Sequence, residues 1–236
     1  MRILLVRPPR IKQAVTIGEF MFCEPLGLEA VVAVLKDRHD FRLIDLMVED
    51  ADIAGECAAW KPDVVGLTSL CVDVLNVLRI ARLVKQAHPR IVTIVGGTQA
   101  YLDPDSFVDE SIDHIFEFTT RLNLRELMDA VDGGKPVPLV DGVRSRAHGY
   151  RSTGVAGRNE YIEPDLDCTA IYRSHYSYFG YKPCAIMQTS QGCSKHCRFC
   201  LRWRIEGPRE VPRPLDRVIA EAGTLDRRLA LLPNLI

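Results

Sequence analysis

The sequence predicts an α/β fold in which a doubly wound, five-stranded parallel sheet is followed by the start of a partial (β/α) barrel. The sheet is predicted from one pattern: short apolar runs alternate with helical patterns over residues 1–133. Strands that are joined by helical crossovers form parallel sheets. Of the 236 residues, 47% are hydrophobic and 26% are charged, so the chain can bury a substantial core.

Five apolar runs bounded by turn residues predict the strands of the sheet. They are Ile3–Val6, Phe41–Ile44, Val64–Thr68, Ile91–Val95 and the residues around Ile115–Phe116. Apolar residues at helical spacing, with proline or glycine at the ends, predict the helices between them. These run over Leu26–Arg38, up to Lys61-Pro62, from Val74 to before Pro89, and from Leu124 to Gly133.

Ligands of such sheets bind beyond the carboxyl ends of the strands, where the strand order reverses. The residues predicted to line this crevice are Arg7, Asp45, Thr68–Cys71 and Gly96-Gly97-Thr98. The two glycines either let the backbone approach a ligand or simply allow a tight strand-to-helix turn. The motif G-x-G-x-x-G does not follow the first strand, so a dinucleotide site is poorly supported.

The sequence suggests three regions: the sheet domain at 1–133, a connector at 134–182, and the start of the barrel at 183–236. Proline and glycine punctuate the connector, which shows little periodicity. Its aromatic run, Tyr172–Tyr181, favours packing between domains over a role as a lid.

A predicted strand, Ala185–Thr189, leads through Gly192 into three cysteines spaced C-x-x-x-C-x-x-C: Cys193, Cys197 and Cys200. Three thiolates this close can converge on one inorganic centre and leave a position open for chemistry. A structural zinc site, with Cys184, His175 or His196 as fourth ligand, and a set of unligated thiols are the alternatives. The remaining cysteines are expected to be ordinary thiols: Cys23, Cys57, Cys71 and Cys168.

Composition narrows the class of protein. The formal net charge of −1 argues against a dedicated nucleic-acid binder. The sequence lacks an apolar run near the ~18 residues of a membrane span, and Met1–Val6 is too short for a signal peptide. We therefore expect a cytoplasmic protein with no membrane partner, in which the eight cysteines favour metal ligands or buried thiols over disulfides.

The cysteine spacing, with Phe199 just before the last cysteine, resembles the signature of radical S-adenosylmethionine enzymes. Residues 1–133 resemble the cobalamin-binding domain, with its flavodoxin-like sheet, that precedes many of these modules. This second resemblance rests on Arg7-Pro8-Pro9, Pro25-Leu26-Gly27-Leu28, Val65–Ser69 and Val95–Thr98.

The resemblance implies that Cys193, Cys197 and Cys200 hold three irons of a 4Fe–4S cluster, while S-adenosylmethionine chelates the fourth and Phe199 packs on its adenine. One electron then cleaves S-adenosylmethionine to a 5′-deoxyadenosyl radical, which abstracts hydrogen from a small-molecule substrate. Methyl transfer is a common outcome where cobalamin is bound. A one-electron donor such as flavodoxin or ferredoxin is implied. The cobalamin crevice would comprise Arg7, Thr68, Ser69, Gly96, Gly97 and Thr98.

The sequence departs from the family pattern in several respects, of which two matter most here. The D-x-H-x-x-G loop is missing, since Asp37-Arg38-His39 is followed by Asp40-Phe41-Arg42, so we expect no histidine below a bound cobalt. Only 36 residues follow Cys200, against about 200 or more for a whole barrel. The resemblance thus covers a barrel truncated early, with a second strand expected at Leu229–Leu232. A non-catalytic corrinoid-binding module is the second hypothesis.

Overall fold

The computed structural model describes residues 1–9 and 21–230, with side chains to residue 226 in the last helix. Two compact units are present, one of the first strand and residues 27–168, the other of residues 21–26 and 169–230. In chain order the elements are β1 (Arg2–Arg7), β2 (Met21–Phe22), α1 (Leu26–Leu35), β3 (Asp40–Asp45), α2 (Ile53–Trp60), β4 (Val64–Thr68), α3 (Val74–Ala87), β5 (Val92–Gly96), α4 (Thr98–Leu102), β6 (His114–Phe116), α5 (Arg121–Asp132), β7 (Val143–Ser145), β8 (Ser177–Tyr178), β9 (Ser190–Gln191), α6 (Arg202–Ile205), β10 (Val211–Pro212) and α7 (Leu215–Ala230).

The first unit is built on a six-stranded sheet with the order β3-β1-β4-β5-β6-β7. The five strands from β3 to β6 run parallel, and the chain reverses its direction of winding at β1, which lies between β3 and β4. This is the doubly wound topology that the sequence predicts. Its carboxyl edge holds Arg7, Thr68 and Gly96, the last residues of three adjacent strands.

The core of this unit lies between the sheet and two helices. Leu4 and Val6 of β1 share a buried cluster with Ile53 of α2 and with Val77 and Val84 of α3. The intervening residues of β1 are also buried. The strand is therefore covered on both faces, as strands of parallel sheets are.

The sheet has one strand more than the five predicted. β7 comes from the stretch expected to be a connector and pairs antiparallel with β6, Val143 opposite Phe116. It has three residues, which is too short to show the two-residue periodicity of a strand. Local hydrogen bonds support it: the backbone N–H of Glu117 donates to the carbonyl of Gly142 at 2.8 Å.

The second unit contains only short ladders in its described residues, β2 with β8 and β9 with β10, each antiparallel and two residues long. The strand predicted over Ala185–Thr189 is wrong, and pairing begins at Ser190 instead. Side chains replace a neighbouring strand here, because Glu24 Oε1 accepts the Ile186 N–H at 3.1 Å and Arg213 Nη1 donates to the Gln188 carbonyl at 2.6 Å.

The second barrel strand expected at Leu229–Leu232 is wrong at its start, because α7 continues to Ala230. Residues 224–230 contain good helix formers and no proline, so nothing stops the helix at Leu229. Leu231 and Leu232 lie outside the described residues. Among the described helices, none is long and apolar enough to cross a membrane.

Candidate functional site

The three predicted ligands lie on one loop of the second unit, between β9 and α6. Cys197 is exposed, Cys193 and Cys200 are half-buried, and all three are free thiols. The backbone N–H of Lys195 donates to Cys193 Sγ at 3.4 Å, and that of Cys200 donates to the Cys197 carbonyl at 3.1 Å. The loop is therefore partly ordered by its own backbone.

Gly192 begins the loop in a conformation that a side chain would obstruct. Its φ is +76°, and a Cβ atom there would lie 2.1 Å from the carbonyl oxygen of Arg209 and 2.9 Å from that of Gly207. The Cys193 N–H donates to the same Gly207 carbonyl at 3.1 Å. Residues 207–209, the loop seat, thus hold the first turn of the cysteine loop.

Glu206 joins the two ends of the cysteine loop. Its Oε2 accepts the Gly192 N–H at 2.9 Å and Arg202 Nε at 3.1 Å, and its Oε1 accepts Gln188 Nε2 at 3.4 Å. Because one carboxylate binds the chain before and after the loop, it limits how far they can separate. Glu206 was not predicted from the sequence, although its i,i+4 spacing from Arg202 is a recognisable helix-pair signal.

Trp203 supports the middle of the loop and was also missed. Its Nε1–H donates to the Cys197 carbonyl at 3.3 Å, and its ring packs edge-on against His196 with centroids 4.8 Å apart. Arg204 lies 5.1 Å from the centre of the same ring. Phe199, in contrast, is 91% exposed, and its predicted role against adenine stays a prediction.

The sulfurs of Cys193, Cys197 and Cys200 are not gathered into a ligand set. Among the described residues, no group of three or more His, Cys, Asp and Glu side chains is placed to hold a metal ion. The same holds for the zinc alternative with Cys184, His175 or His196. The structure therefore places the three thiols on one loop, and their convergence stays a prediction.

At the carboxyl edge of the sheet, Arg7 and Asp45 form an ion pair across β1 and β3. Arg7 Nη1 lies 3.2 Å from Asp45 Oδ2, and the Asp45 side chain is fully buried. Asp45 Oδ1 accepts the Met47 N–H at 3.0 Å. The pair holds the Arg7 side chain at the carboxyl edge of the sheet, and its part in binding a ligand stays a prediction.

The loops after β4 and β5 meet beside this pair. Ser69 N–H donates to the Gly96 carbonyl at 3.0 Å, and Gln99 N–H donates to the Ser69 carbonyl at 3.1 Å. Gly97 has φ +98°, and a Cβ there would lie 2.8 Å from the Ser69 backbone and 2.9 Å from Thr68 Oγ1. The glycine is therefore required by the turn itself, and Thr98 follows as the first residue of α4.

Three exposed apolar side chains follow β4 at the same edge, and only Leu70 among them falls within the predicted segment Thr68–Cys71. Leu70, Val72 and Leu75, the apolar rim, are 55%, 38% and 79% exposed. Leu70 and Val72 lie on the loop after β4, and Leu75 lies in the first turn of α3. Asp73 Oδ2 accepts the Leu70 N–H at 2.9 Å, and burial raises the pKa of Asp73. Adjacent exposed apolar residues often mark a binding surface.

The histidines of the first unit lie at the opposite edge. His39 Nδ1 is 3.4 Å from the amino terminus, and His114 begins β6, with Nδ1 2.9 Å from Ser145 Oγ. His88 follows the end of α3, and His148 follows β7 at its Ser145 end. Burial lowers the pKa of His114 to about 4. In the described first unit, no imidazole borders the crevice.

The fold and the loop define a class: a doubly wound domain of the B12-binding type, followed by a three-cysteine loop. Residues 20–127 match the model of the B12 binding domain family. The resemblance to cobalamin-binding radical S-adenosylmethionine proteins is confirmed by the relatives below. The similarity to these relatives extends over as much as 95–96% of the chain.

Among curated proteins, the chain is 28% identical to an uncharacterised methyltransferase of Pyrococcus horikoshii over 95% of this chain and 50% of that protein. It is 30% identical to the hopanoid C-3 methylase of Methylococcus capsulatus over 80% of this chain and 38% of the relative. The chain therefore spans half or less of the length of these relatives.

Solved structures show the same fold. The cobalamin-dependent S-adenosylmethionine radical enzyme OxsB, with aqua-cobalamin and S-adenosylmethionine bound, gives a TM-score of 0.71 at 18% identity, over 96% of this chain and 32% of that one. The radical S-adenosylmethionine methyltransferase TsrM of Kitasatospora setae gives 0.68 at 17% identity, over 96% and 46%.

Proposed function

We propose that this chain forms part of a cobalamin-dependent radical S-adenosylmethionine methyltransferase. The observation that carries the proposal is the presence, in one chain, of a B12-binding-type sheet domain and three free thiols on one loop. A small-molecule substrate and a one-electron donor such as flavodoxin or ferredoxin complete the proposed reaction. When bound, the cluster would supply the electron that cleaves S-adenosylmethionine, and cobalamin would carry the methyl group.

The residues of the second unit would hold and orient the cluster. Cys193, Cys197 and Cys200 supply three thiolate ligands, a donor set that suits three irons of a 4Fe–4S cluster and leaves one iron open. The Lys195 N–H, 3.4 Å from Cys193 Sγ, is a hydrogen-bond donor of the kind that tunes cluster potentials. Phe199, almost fully exposed, is available to stack on adenine.

The residues of the first unit would bind cobalamin at the carboxyl edge of the sheet. The apolar rim offers a surface for the corrin ring, and burying it there removes apolar area from water. Thr68 and Thr98 offer hydroxyl groups, and Arg7 a cation, for the polar side chains of the corrinoid. Ser69 is only 1% exposed and its hydroxyl donates to the Leu70 carbonyl at 3.0 Å, so it would support the turn instead. Because the described histidines of the first unit lie at the opposite edge, none of them would be placed to bind cobalamin there.

Anaerobic reconstitution with iron and sulfide tests the cluster assignment. The wild-type chain should take up about four irons and four sulfides, with little zinc. Cys197→Ala should lose most of this iron, while Cys71→Ala, which removes an exposed thiol of the first unit, should retain it. Stoichiometric zinc in place of iron, or equal iron in both variants, would overturn the assignment.

Titration with hydroxocobalamin tests the crevice separately. Leu75→Glu places a charge on the apolar rim and should weaken binding by about tenfold or more, since burying a charge there costs over 1.4 kcal/mol. Leu83→Glu, about two turns further along α3 and 43% exposed, is the matched control and should bind normally. If the wild-type chain does not bind hydroxocobalamin, or if both variants lose affinity equally, the proposal that cobalamin binds at this edge of the sheet is wrong.

A further inference from the structure

Residues 188–192, which lead into the cysteine loop, are bound by side chains from the chain beyond that loop. Arg213 Nη1 donates to the Gln188 carbonyl at 2.6 Å, and Arg202 Nη2 donates to the Ser190 carbonyl at 2.7 Å. The Gln188 side chain donates to the same Ser190 carbonyl at 3.1 Å. The segment before the loop is therefore held by residues that come after it.

These contacts converge on the carboxylate of Glu206. One of its oxygens accepts both the Gly192 N–H and Arg202 Nε, and the other accepts Gln188 Nε2. The Glu206 side chain is 24% exposed, so water competes little for these bonds, and hydrogen bonds to an ionised acceptor are among the strong ones. Because Gly192 directly precedes the first cysteine, this carboxylate controls where the loop begins.

The same network is anchored to α7 by a buried ion pair. The Arg213 guanidinium binds the Gln188 carbonyl through one nitrogen and the Glu221 carboxylate of α7 through another, and both charged side chains are 4% exposed. Gln188 in turn binds Glu206. The carboxylate that reaches Gly192 is therefore connected to a helix of 16 residues, and a site supported by a regular element is held more precisely than one on a loop alone.

We propose that Glu206 is a positioning residue for the iron–sulfur cluster, an inference that rests on the proposed function. Its carboxylate holds the chain before Cys193 and the chain after Cys200 at a fixed separation, so that the loop needs less ordering when its thiolates bind iron. Glu206 acts through the Gly192 N–H and is not itself a proposed ligand. Loss of this carboxylate should weaken the retention of iron even though all three cysteines remain.

Amide hydrogen exchange of the full, metal-free chain under reducing conditions tests the contact without iron. Glu206→Ala removes the acceptor of the Gly192 N–H, which should then exchange at least about tenfold faster than in the wild-type chain. Glu210→Ala is the matched control, because it removes the same charge from an exposed carboxylate that accepts the Ser190 hydroxyl at 3.0 Å. It should leave the exchange of Gly192 unchanged, and equal exchange in both variants would overturn the proposal.

Release of iron from the reconstituted chain to EDTA tests the positioning role. Glu206→Ala should lose iron about tenfold faster than the wild-type chain and Glu210→Ala. Glu206→Gln, which keeps an oxygen for the Gly192 N–H, should restore much of the retention, and release as fast as from Glu206→Ala would contradict the role. A wild-type chain that takes up no iron would refute the proposed function and this role with it, whereas normal retention in Glu206→Ala would refute the positioning role alone.

Discussion

Gly192→Ala should damage the cysteine loop through two separable effects. The φ of +76° costs an alanine about 1–2 kcal/mol. The new Cβ would also lie 2.1 Å from the Arg209 carbonyl oxygen, so the loop seat must retreat by roughly 1 Å or more to reach van der Waals contact. That retreat breaks the Cys193–Gly207 hydrogen bond, worth about 1 kcal/mol. We expect a total loss of about 3 kcal/mol.

Gly180→Ala is the matched control, because Gly180 has φ +86° in the same unit but a Cβ added there would meet no atom within 4 Å. It should cost about 1–2 kcal/mol, the backbone part alone. The two tryptophans, Trp60 and Trp203, lie in different units, so in a Trp60→Phe background the fluorescence of Trp203 reports unfolding of the second unit in guanidinium chloride. Equal losses for the two variants would refute the steric argument.

Two further predictions concern single residues in each unit. His114 has a folded pKa of about 4 against 6.5 unfolded, so its contribution is present above pH 6.5 and is lost as pH falls towards 4. Lowering the pH from 7.5 to 5 should cost about 2 kcal/mol of unfolding free energy, and His114→Gln should reduce this slope; an unchanged slope would contradict the reasoning. Glu221→Gln leaves the buried Arg213 guanidinium without its anion (both side chains are 4% exposed) and should cost about 3–5 kcal/mol. Asp129→Asn, in the exposed pair with Arg38, should cost less than about 1 kcal/mol. Similar losses for the two substitutions, measured by chemical denaturation, would show that burial does not decide the cost.

The parallel sheet was predictable because its strands are buried on both faces and read as continuous apolar runs. Ile3–Val6 and Val64–Thr68 were placed to within a residue of the observed strands. β7 was not predictable, since three residues among prolines and glycines carry no periodic signal. The prediction at Ala185–Thr189 failed for a different reason: its backbone binds the side chains of Glu24 and Arg213, contacts that no local pattern encodes.

Residue type and spacing were enough to select Cys193, Cys197 and Cys200 from the sequence, and their role as ligands stays a prediction. Glu206 and Trp203 were missed because their importance comes from what they touch, the Gly192 N–H and the Cys197 carbonyl. Val72 and Leu75 of the apolar rim were missed because leucine and valine resemble core residues until their exposure is known. Leu70 lay within the predicted segment Thr68–Cys71. Gly97 was identified, but its close contact is with Ser69 of the neighbouring loop, which only the folded chain reveals.

Electron spin resonance of the reconstituted, reduced chain tests the central claim most directly. If Cys193, Cys197 and Cys200 leave one iron free, adding S-adenosylmethionine should change the signal of the reduced cluster, since its amino and carboxylate groups then bind that iron. If S-adenosylmethionine leaves the signal unchanged, or if the protein binds zinc and gives no signal, the proposed cluster with one free iron is wrong.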